Sequence, residues 1–269
     1  MFSRTVVLSL AIVMLAGCSA LPRHQAVPFE KTNQAVIPWL ENARYIADDP
    51  KDMERMNREV LALWEMQSAW LTAQGQSLND LPPAAFLAIS GGGDKGAYTA
   101  GLLNGWSKAG TRPNFTLVTG ISTGALIAPY AFLGSGHDHE LTELYTNVSS
   151  QDLIEMRGVL AALTDDSIMD TTPLLNMIRK QIDRAFLDEI AAEYKKGRVL
   201  LIATTNIDAT RSVIWNMTKI AANPDPRAVE LFHKIMLASA AIPAAFPPVM
   251  IDVEVDGKPY QEMHVDGGT

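Results

Sequence analysis

The sequence predicts an α/β fold in which a mainly parallel central sheet is covered by helices. Two short apolar runs, 84–90 and 115–118, are each followed by a glycine-containing turn and then by a run typical of a helix. This strand–helix–strand–helix order is typical of a parallel sheet with helices on both faces. The chain has 269 residues, 48 % of them hydrophobic, which is enough for one sizeable core.

Residues 1–17 are predicted to be a signal peptide outside the fold. Arg4 gives a positive start, and an apolar run of twelve residues, 5–16, follows. That run is shorter than the roughly 20 residues that a membrane-spanning helix needs. It ends in Leu15-Ala16-Gly17-Cys18, which resembles the lipobox of bacterial lipoproteins.

Cys18 is the only cysteine of the chain, and the lipobox pattern predicts that it carries a lipid. Residues 18–38 then form a proline-containing tether. By analogy with other lipoproteins, Ser19 after the cysteine favours the outer membrane, facing the periplasm, as the location of this cell-envelope protein.

Residues 39–83 are predicted to be a helical extension before the main domain. Asp49-Pro50 is typical of a helix start, with an N-cap residue followed by proline at the first helical position. Apolar residues recur on one side of this helix, and we interpret that side as packing on the core. Its members are Met53, Met56, Val60, Leu63, Trp64, Trp70 and Leu71.

The main domain is predicted to run from residue 84 to residue 269. After the first two strand–helix units, Thr172-Pro173 indicates another helix start. Asp256-Gly257 predicts a hairpin turn between two strands. The remaining elements are predicted at 198–204 and 211–217 for strands and at 230–239 for a helix.

The sequence argues against nucleic acid as a partner and against a bound metal or cofactor. The net charge is −8, and no cluster of Lys or Arg is long enough to bind a phosphate backbone, so nucleic acid is not expected. His137 and His139 have no cysteine and no clear third ligand near them, so we predict no metal site and no cofactor.

Gly120-Ile121-Ser122-Thr123-Gly124 predicts a nucleophile elbow. In this motif a serine sits on a tight turn between a strand and a helix, and flanking Gly120 and Gly124 let the backbone pass close beside it. Because an apolar run precedes the motif and a helix-like run follows it, Ser122 is the candidate nucleophile.

The run from Ser90 to Gly96 predicts an oxyanion hole. Backbone N–H groups in such a loop can point together into a cleft at a helix N-terminus. The spacing also fits a dinucleotide loop, but no acidic residue occurs from Lys95 to His137, where a ribose ligand is required. The candidate residues are Gly91, Gly92, Gly93, Asp94, Lys95 and Gly96.

The residues alone do not identify the general base. His264 lies two positions before Asp266, and His233 lies on a predicted helix. Asp266 follows a strand and precedes two glycines that allow close approach to another loop. An ordinary aspartate is a weak base for serine, although partial burial increases its basicity.

In four blocks the chain resembles the patatin-like phospholipase family. The blocks are Ser90–Gly96, Gly120–Gly124, the proline-containing segment Ala238–Pro248 and Asp266–Gly268, in this order. The resemblance implies a patatin-like three-layer fold and a lipid acyl hydrolase. It also implies a Ser–Asp dyad of Ser122 and Asp266, with the glycine loop as oxyanion hole.

The expected substrate is a phospholipid or another lipid ester, with a phospholipase A- or lysophospholipase-like activity. One alternative is a Ser–His–Asp esterase that uses His264 or His233. Another is a non-catalytic envelope lipoprotein. Because the family usually continues with further strands and helices, we expect the domain to be incomplete at Thr269.

Overall fold

A mixed sheet forms the centre of the computed structural model, which describes residues 23–77, 83–146, 155–156 and 169–269. The predicted signal peptide, Cys18 and the first part of the tether lie outside these residues. Within them, seven strands pair in the order β1-β7-β6-β3-β2, and the hairpin β8-β9 joins through β9 and β6. The strands are β1 Arg44–Ile46, β2 Phe86–Ile89, β3 Leu117–Gly120, β6 Val199–Asn206, β7 Arg211–Asn216, β8 Val249–Val255 and β9 Lys258–Asp266.

Two further strands of two residues each pair separately from this sheet. They are antiparallel, β4 Glu155–Met156 and β5 Met169–Asp170.

Helices surround the sheet in the described ranges. They are α1 Pro50–Ala73, α2 Gly96–Lys108, α3 Thr123–Leu133, α4 Asp138–Thr146, α5 Thr172–Gln181, α6 Arg184–Tyr194, α7 Met217–Ala222 and α8 Arg227–Ser239. Short 3₁₀ helices cover Phe29–Gln34, Gly93–Lys95 and Ser135–His137. None of the described helices is both long and apolar enough to cross a bilayer.

The α/β class is confirmed, but the expectation of a mainly parallel sheet is wrong. Among the described strands, only β2 with β3 and β3 with β6 pair in parallel. The other strands pair antiparallel, because β6-β7 and β8-β9 are hairpins and β1 adds to the outer edge of β7. A parallel pair needs a long crossover connection, and α2 supplies one of the two here.

Helices lie on both faces of the sheet. On one face, α3 and α8 pack against β3 and β6, where Val118, Leu200 and Ile202 are fully buried. All but the last residue of α3 are buried, as expected for a helix that is apolar on every side. On the opposite face, Leu63 of α1 packs against Val199 and Leu201.

Helix α1 begins as predicted but leaves most of its apolar residues in solvent. Asp49 caps the helix, and its carboxylate accepts a hydrogen bond from the N–H of Lys51 at 2.9 Å. Only Leu63 and Ser68 are buried along the helix. The interpretation of the Met/Trp side as a core-packing face is therefore wrong for Val60, Trp64 and Trp70, which are exposed.

The segment predicted as a helical extension also contributes a strand. β1 pairs antiparallel with β7, with Tyr45 opposite Ile214. The described part of this segment, residues 39–77, is thus joined to the central sheet by backbone hydrogen bonds of β1 as well as by α1.

Candidate active site

Ser122 lies at the turn between β3 and α3 in a strained backbone conformation. Its φ and ψ are 57° and −129°, in a region that residues with a side chain rarely occupy. Such strain costs about 1–3 kcal/mol and is found mostly at functional sites. The neighbouring glycines allow the turn: a Cβ on Gly120 would lie 2.8 Å from Ala128, and one on Gly124 would lie 2.9 Å from the carbonyl of Ser90.

The glycine loop is attached directly to this turn. The N–H of Ile121 donates to the carbonyl of Ile89 at 3.2 Å, and the hydroxyl of Thr123 donates to the carbonyl of Gly93 at 3.0 Å. A Cβ on Gly91 would lie 2.6 Å from the Cβ of Ser122. The predicted oxyanion loop and the predicted nucleophile therefore form one unit.

The loop offers backbone donors beside Ser122. In the described part of the chain, the N–H groups of Gly92 and Gly93 donate to no protein acceptor, and both residues are exposed. Gly93 has a φ of 56°, which favours glycine. Free N–H groups at the start of a helix are suited to hold a negatively charged oxygen.

The other predicted residues of the loop differ in their surroundings. Asp94 and Lys95 are exposed and lie in the 3₁₀ turn. Gly96 is buried at the start of α2, where a Cβ would collide with Thr123 and with the hydroxyl of Tyr145. Gly96 therefore allows close packing rather than offering a donor to a substrate.

Pairing with β6 brings the end of β9, which carries Asp266, close to the end of β3, which leads into Ser122. β3 and β9 share one edge of β6 and run towards each other, so that their carboxyl ends meet. Gly120 pairs with Ile202 and Asp266 pairs with Thr204. Since these partners on β6 are two residues apart, the two strand ends are separated by roughly 7 Å along β6.

Local contacts fix the backbone at Asp266, which is 6 % exposed. Its N–H donates to the carbonyl of Ala241 at 2.9 Å, and its Oδ1 accepts a hydrogen bond from the N–H of Gly268 at 2.8 Å. A Cβ on Gly267 would lie 3.3 Å from Ile121, the residue before Ser122. The two glycines after Asp266 thus allow the close approach that the sequence predicted.

No hydrogen bond joins the Ser122 hydroxyl to the Asp266 carboxylate among the described residues. Catalytic hydrogen bonds are often long without substrate, so this does not remove Asp266 as a candidate base. The strand registers place the end of β3, which leads into Ser122, near the end of β9, which carries Asp266.

Ser239 supports the elbow, a role that the sequence reasoning missed. The N–H of Ser122 donates to the Ser239 hydroxyl at 3.0 Å, which in turn donates to the carbonyl of Ala203 at 2.7 Å. Ser239 ends α8 and is fully buried. The sequence signal that could have indicated this role is the position of Ser239 in Ala238–Pro248, one of the four blocks of the resemblance.

The two histidines considered as alternative bases form hydrogen bonds with groups other than Ser122. His264 is fully buried and contacts Thr204 and Glu262, at 2.8 and 3.2 Å. His233 contacts the carbonyl of Ile182 at 2.6 Å. Burial lowers the pKa of both imidazoles. Neither ring is hydrogen-bonded to Ser122 in the described structure.

Comparisons with known proteins agree with the sequence resemblance. The sequence model of the family described as patatin-like phospholipase matches residues 87–269. Among solved structures, VipD from Legionella pneumophila is similar with a TM-score of 0.44 and 14 % sequence identity, covering 70 % of this chain and 46 % of the VipD chain. The chain thus spans less than half of VipD. No curated protein matches it.

Proposed function

Because the chain belongs to the patatin-like phospholipase family, whose members are lipid acyl hydrolases, we propose that Ser122 is its nucleophile and Asp266 its general base. The substrate is a phospholipid, a lysophospholipid or another lipid ester. One observation carries the proposal: the strand before Ser122 and the strand that ends at Asp266 meet on one edge of β6.

The proposed reaction proceeds through an acyl-enzyme. Asp266 takes the hydroxyl proton of Ser122 while the serine oxygen attacks the ester carbonyl carbon. The resulting oxyanion accepts hydrogen bonds from the N–H groups of Gly92 and Gly93, and loss of one such donor typically costs about 10²–10³ in rate. When the ester C–O bond breaks, the leaving alcohol takes the proton from Asp266. Water then attacks the acyl carbon while Asp266 accepts a proton from it. When the bond between the acyl carbon and Ser122 Oγ breaks, Asp266 returns this proton to Oγ, and the fatty acid leaves.

Substitution of the dyad tests this assignment. Asp266→Asn is expected to lower kcat by about 10²–10⁴, the usual cost of losing a general base. Ser122→Ala is expected to abolish both turnover and labelling by a fluorophosphonate probe. Initial rates on a p-nitrophenyl ester and mass spectrometry of the labelled peptide measure the two effects, and product analysis on defined phospholipids identifies the bond cleaved.

His233→Gln is the matched control, since His233 is a buried histidine outside the proposed dyad. It should stay within a few-fold of the wild type. A His233→Gln protein as inactive as Asp266→Asn would favour a Ser–His–Asp esterase. A wild-type protein that neither turns over esters nor reacts with the probe would favour a non-catalytic lipoprotein.

We also propose that the mature chain begins at a lipid-modified Cys18 in the cell envelope, at the periplasmic face of the outer membrane. The support is the sequence Leu15–Cys18 after an apolar run. Wild-type protein is expected to incorporate labelled palmitate and to lose residues 1–17, and Cys18→Ala to lose the label. Unlabelled wild-type protein would remove the anchor and leave the proposed dyad unaffected.

A further inference from the structure

A buried ion pair joins β1 to β9. Arg44 Nη1 and Nη2 donate to the two carboxylate oxygens of Glu262 at 2.6 and 3.1 Å, and the side chains are 9 % and 1 % exposed. Burial alone would raise the pKa of Glu262, but the charge of Arg44 and hydrogen bonds from His264 and Arg44 lower it to about 2. Glu262 is therefore ionised inside the protein, and Arg44 provides the opposite charge.

Hydrogen bonds continue from Glu262 through three further side chains, His264, Thr204 and Trp215. The indole N–H of Trp215 donates to the Thr204 hydroxyl oxygen at 2.8 Å. Because Thr204 accepts this hydrogen bond, its own hydroxyl proton is available to donate to Nδ1 of His264, also at 2.8 Å. His264 Nε2 then carries the ring proton and donates to Glu262 at 3.2 Å. One neutral tautomer of His264 satisfies every group in this chain, in agreement with burial lowering its pKa.

At Thr204 the chain of hydrogen bonds passes the strand position opposite Asp266, the proposed base. Glu262, His264 and Asp266 occupy alternate positions of β9 and so lie on one face of the strand. Thr204, the last hydroxyl in the chain, is the cross-strand partner of Asp266. Side chains directly opposite each other in an antiparallel pair are close neighbours.

We infer that Arg44 is a positioning residue for Asp266, acting through Glu262, His264 and Thr204. The inference rests on the proposed role of Asp266 as base. It makes β1, which precedes the residues 87–269 that match the family, a functional part of the catalytic unit. Without Arg44, Glu262 must take up a proton or move towards water. Either change weakens or displaces the carboxylate that accepts the hydrogen bond from His264 Nε2. The backbone at the end of β9 is then held less firmly.

Two variants separate positioning from simple loss of stability. Arg44→Met leaves Glu262 without its partner and is expected to destabilise the protein. Arg44→Met/Glu262→Met replaces the pair by apolar side chains of similar volume, which is often neutral for stability. It still leaves His264 Nε2 without its acceptor. Both variants are expected to lose up to about 10²-fold in kcat with an unchanged KM, as displaced catalytic groups do.

Hydrogen exchange reports on the same displacement without depending on catalysis. We expect faster exchange of the amides of residues 262–268 in both variants, measured well below their unfolding temperatures. Arg198→Met is the matched control, because Arg198 is also buried and pairs with Glu193 at 2.5 Å, at the start of β6. It should lose stability but keep kcat and the exchange of residues 262–268.

Recovery of kcat together with stability in the double variant would overturn the inference, as would unchanged exchange at residues 262–268. Failure of the proposed dyad has a different signature. An Asp266→Asn protein with wild-type kcat would reject Asp266 as base, whatever the exchange experiment shows for Arg44.

Discussion

At the scale of single residues, the candidate site depends on glycines, because their lack of a Cβ allows close packing around Ser122. A Cβ on Gly91 would meet the proposed nucleophile itself, at 2.6 Å from the Cβ and 3.2 Å from the hydroxyl oxygen of Ser122. The sequence motif predicted a glycine loop next to a serine turn. It could not predict which glycine touches the serine, since that depends on how β2 and β3 align.

Gly91→Ala is therefore expected to lower ester turnover strongly. The added methyl must displace the Ser122 side chain, and displacements of this kind cost up to about 10²-fold in kcat. Overpacking should also cost about 1–3 kcal/mol of unfolding free energy. Steady-state kinetics and urea unfolding measure the two effects.

Gly101→Ala is the control for this substitution. A Cβ on Gly101 has no atom within 4 Å, and alanine is favoured over glycine in a helix interior by about 1 kcal/mol. We expect a slightly more stable protein with wild-type kinetics. Equal kinetic losses in both variants would mean that the Gly91 contact with Ser122 is not responsible.

At the scale of elements, helix α1 shows what an amphipathic pattern can and cannot indicate. The Asp49-Pro50 start was predicted and is present. The burial of the apolar side was predicted wrongly, because a pattern shows that a face is apolar and not that a partner covers it. Leu63 packs against β6, but Val60 and Trp64 are 42 % and 58 % exposed.

Two leucines of α1 should therefore differ sharply when shortened. Leu63→Ala is expected to lower the unfolding free energy by about 2–5 kcal/mol, as for other buried leucines. Leu61→Ala, two residues away and exposed, should change it by about 0.5 kcal/mol or less. Urea unfolding at equal protein concentration compares them. Similar losses in both variants would mean that α1 is covered by more than the described contacts.

At the scale of the whole molecule, the buried histidines make folding depend on pH. Burial lowers the pKa of His233, and the Ile182 carbonyl accepts a hydrogen bond from the neutral ring. The unfolded chain therefore binds a proton at a higher pH than the folded chain. Stability from the neutral ring is fully present above the ordinary value of 6.5 and is lost as the pH falls below it. His264 has the same sign.

We therefore expect the unfolding free energy to fall between pH 7.5 and pH 5.5, by at most about 1.4 kcal/mol per pH unit for each buried histidine. His233→Gln keeps a hydrogen-bond donor and should show a shallower fall than the wild type. His139→Gln controls for loss of a surface histidine, since that side chain is 80 % exposed. Identical slopes in wild type and His233→Gln would contradict this account.

The sequence by itself determined the local elements and supplied the candidate residues of the site. Short-range chemistry was enough for the elbow at Ser122, the glycine loop and the Asp256-Gly257 hairpin, because each depends on residues close together in the chain. The family followed from the order of four such local blocks. Asp266 as base came from the resemblance, and the residues alone left His264 and His233 open.

Only the tertiary structure decided which of these groups meet. β3 and β9 approach each other along β6, so the strand that leads into Ser122 and the strand that ends at Asp266 meet although the two residues are far apart in the chain. The same pairing makes the sheet mixed and connects Arg44 to the end of β9 through Glu262. Strand order and register are set by long-range packing and hydrogen bonding, which no local pattern in the chain encodes.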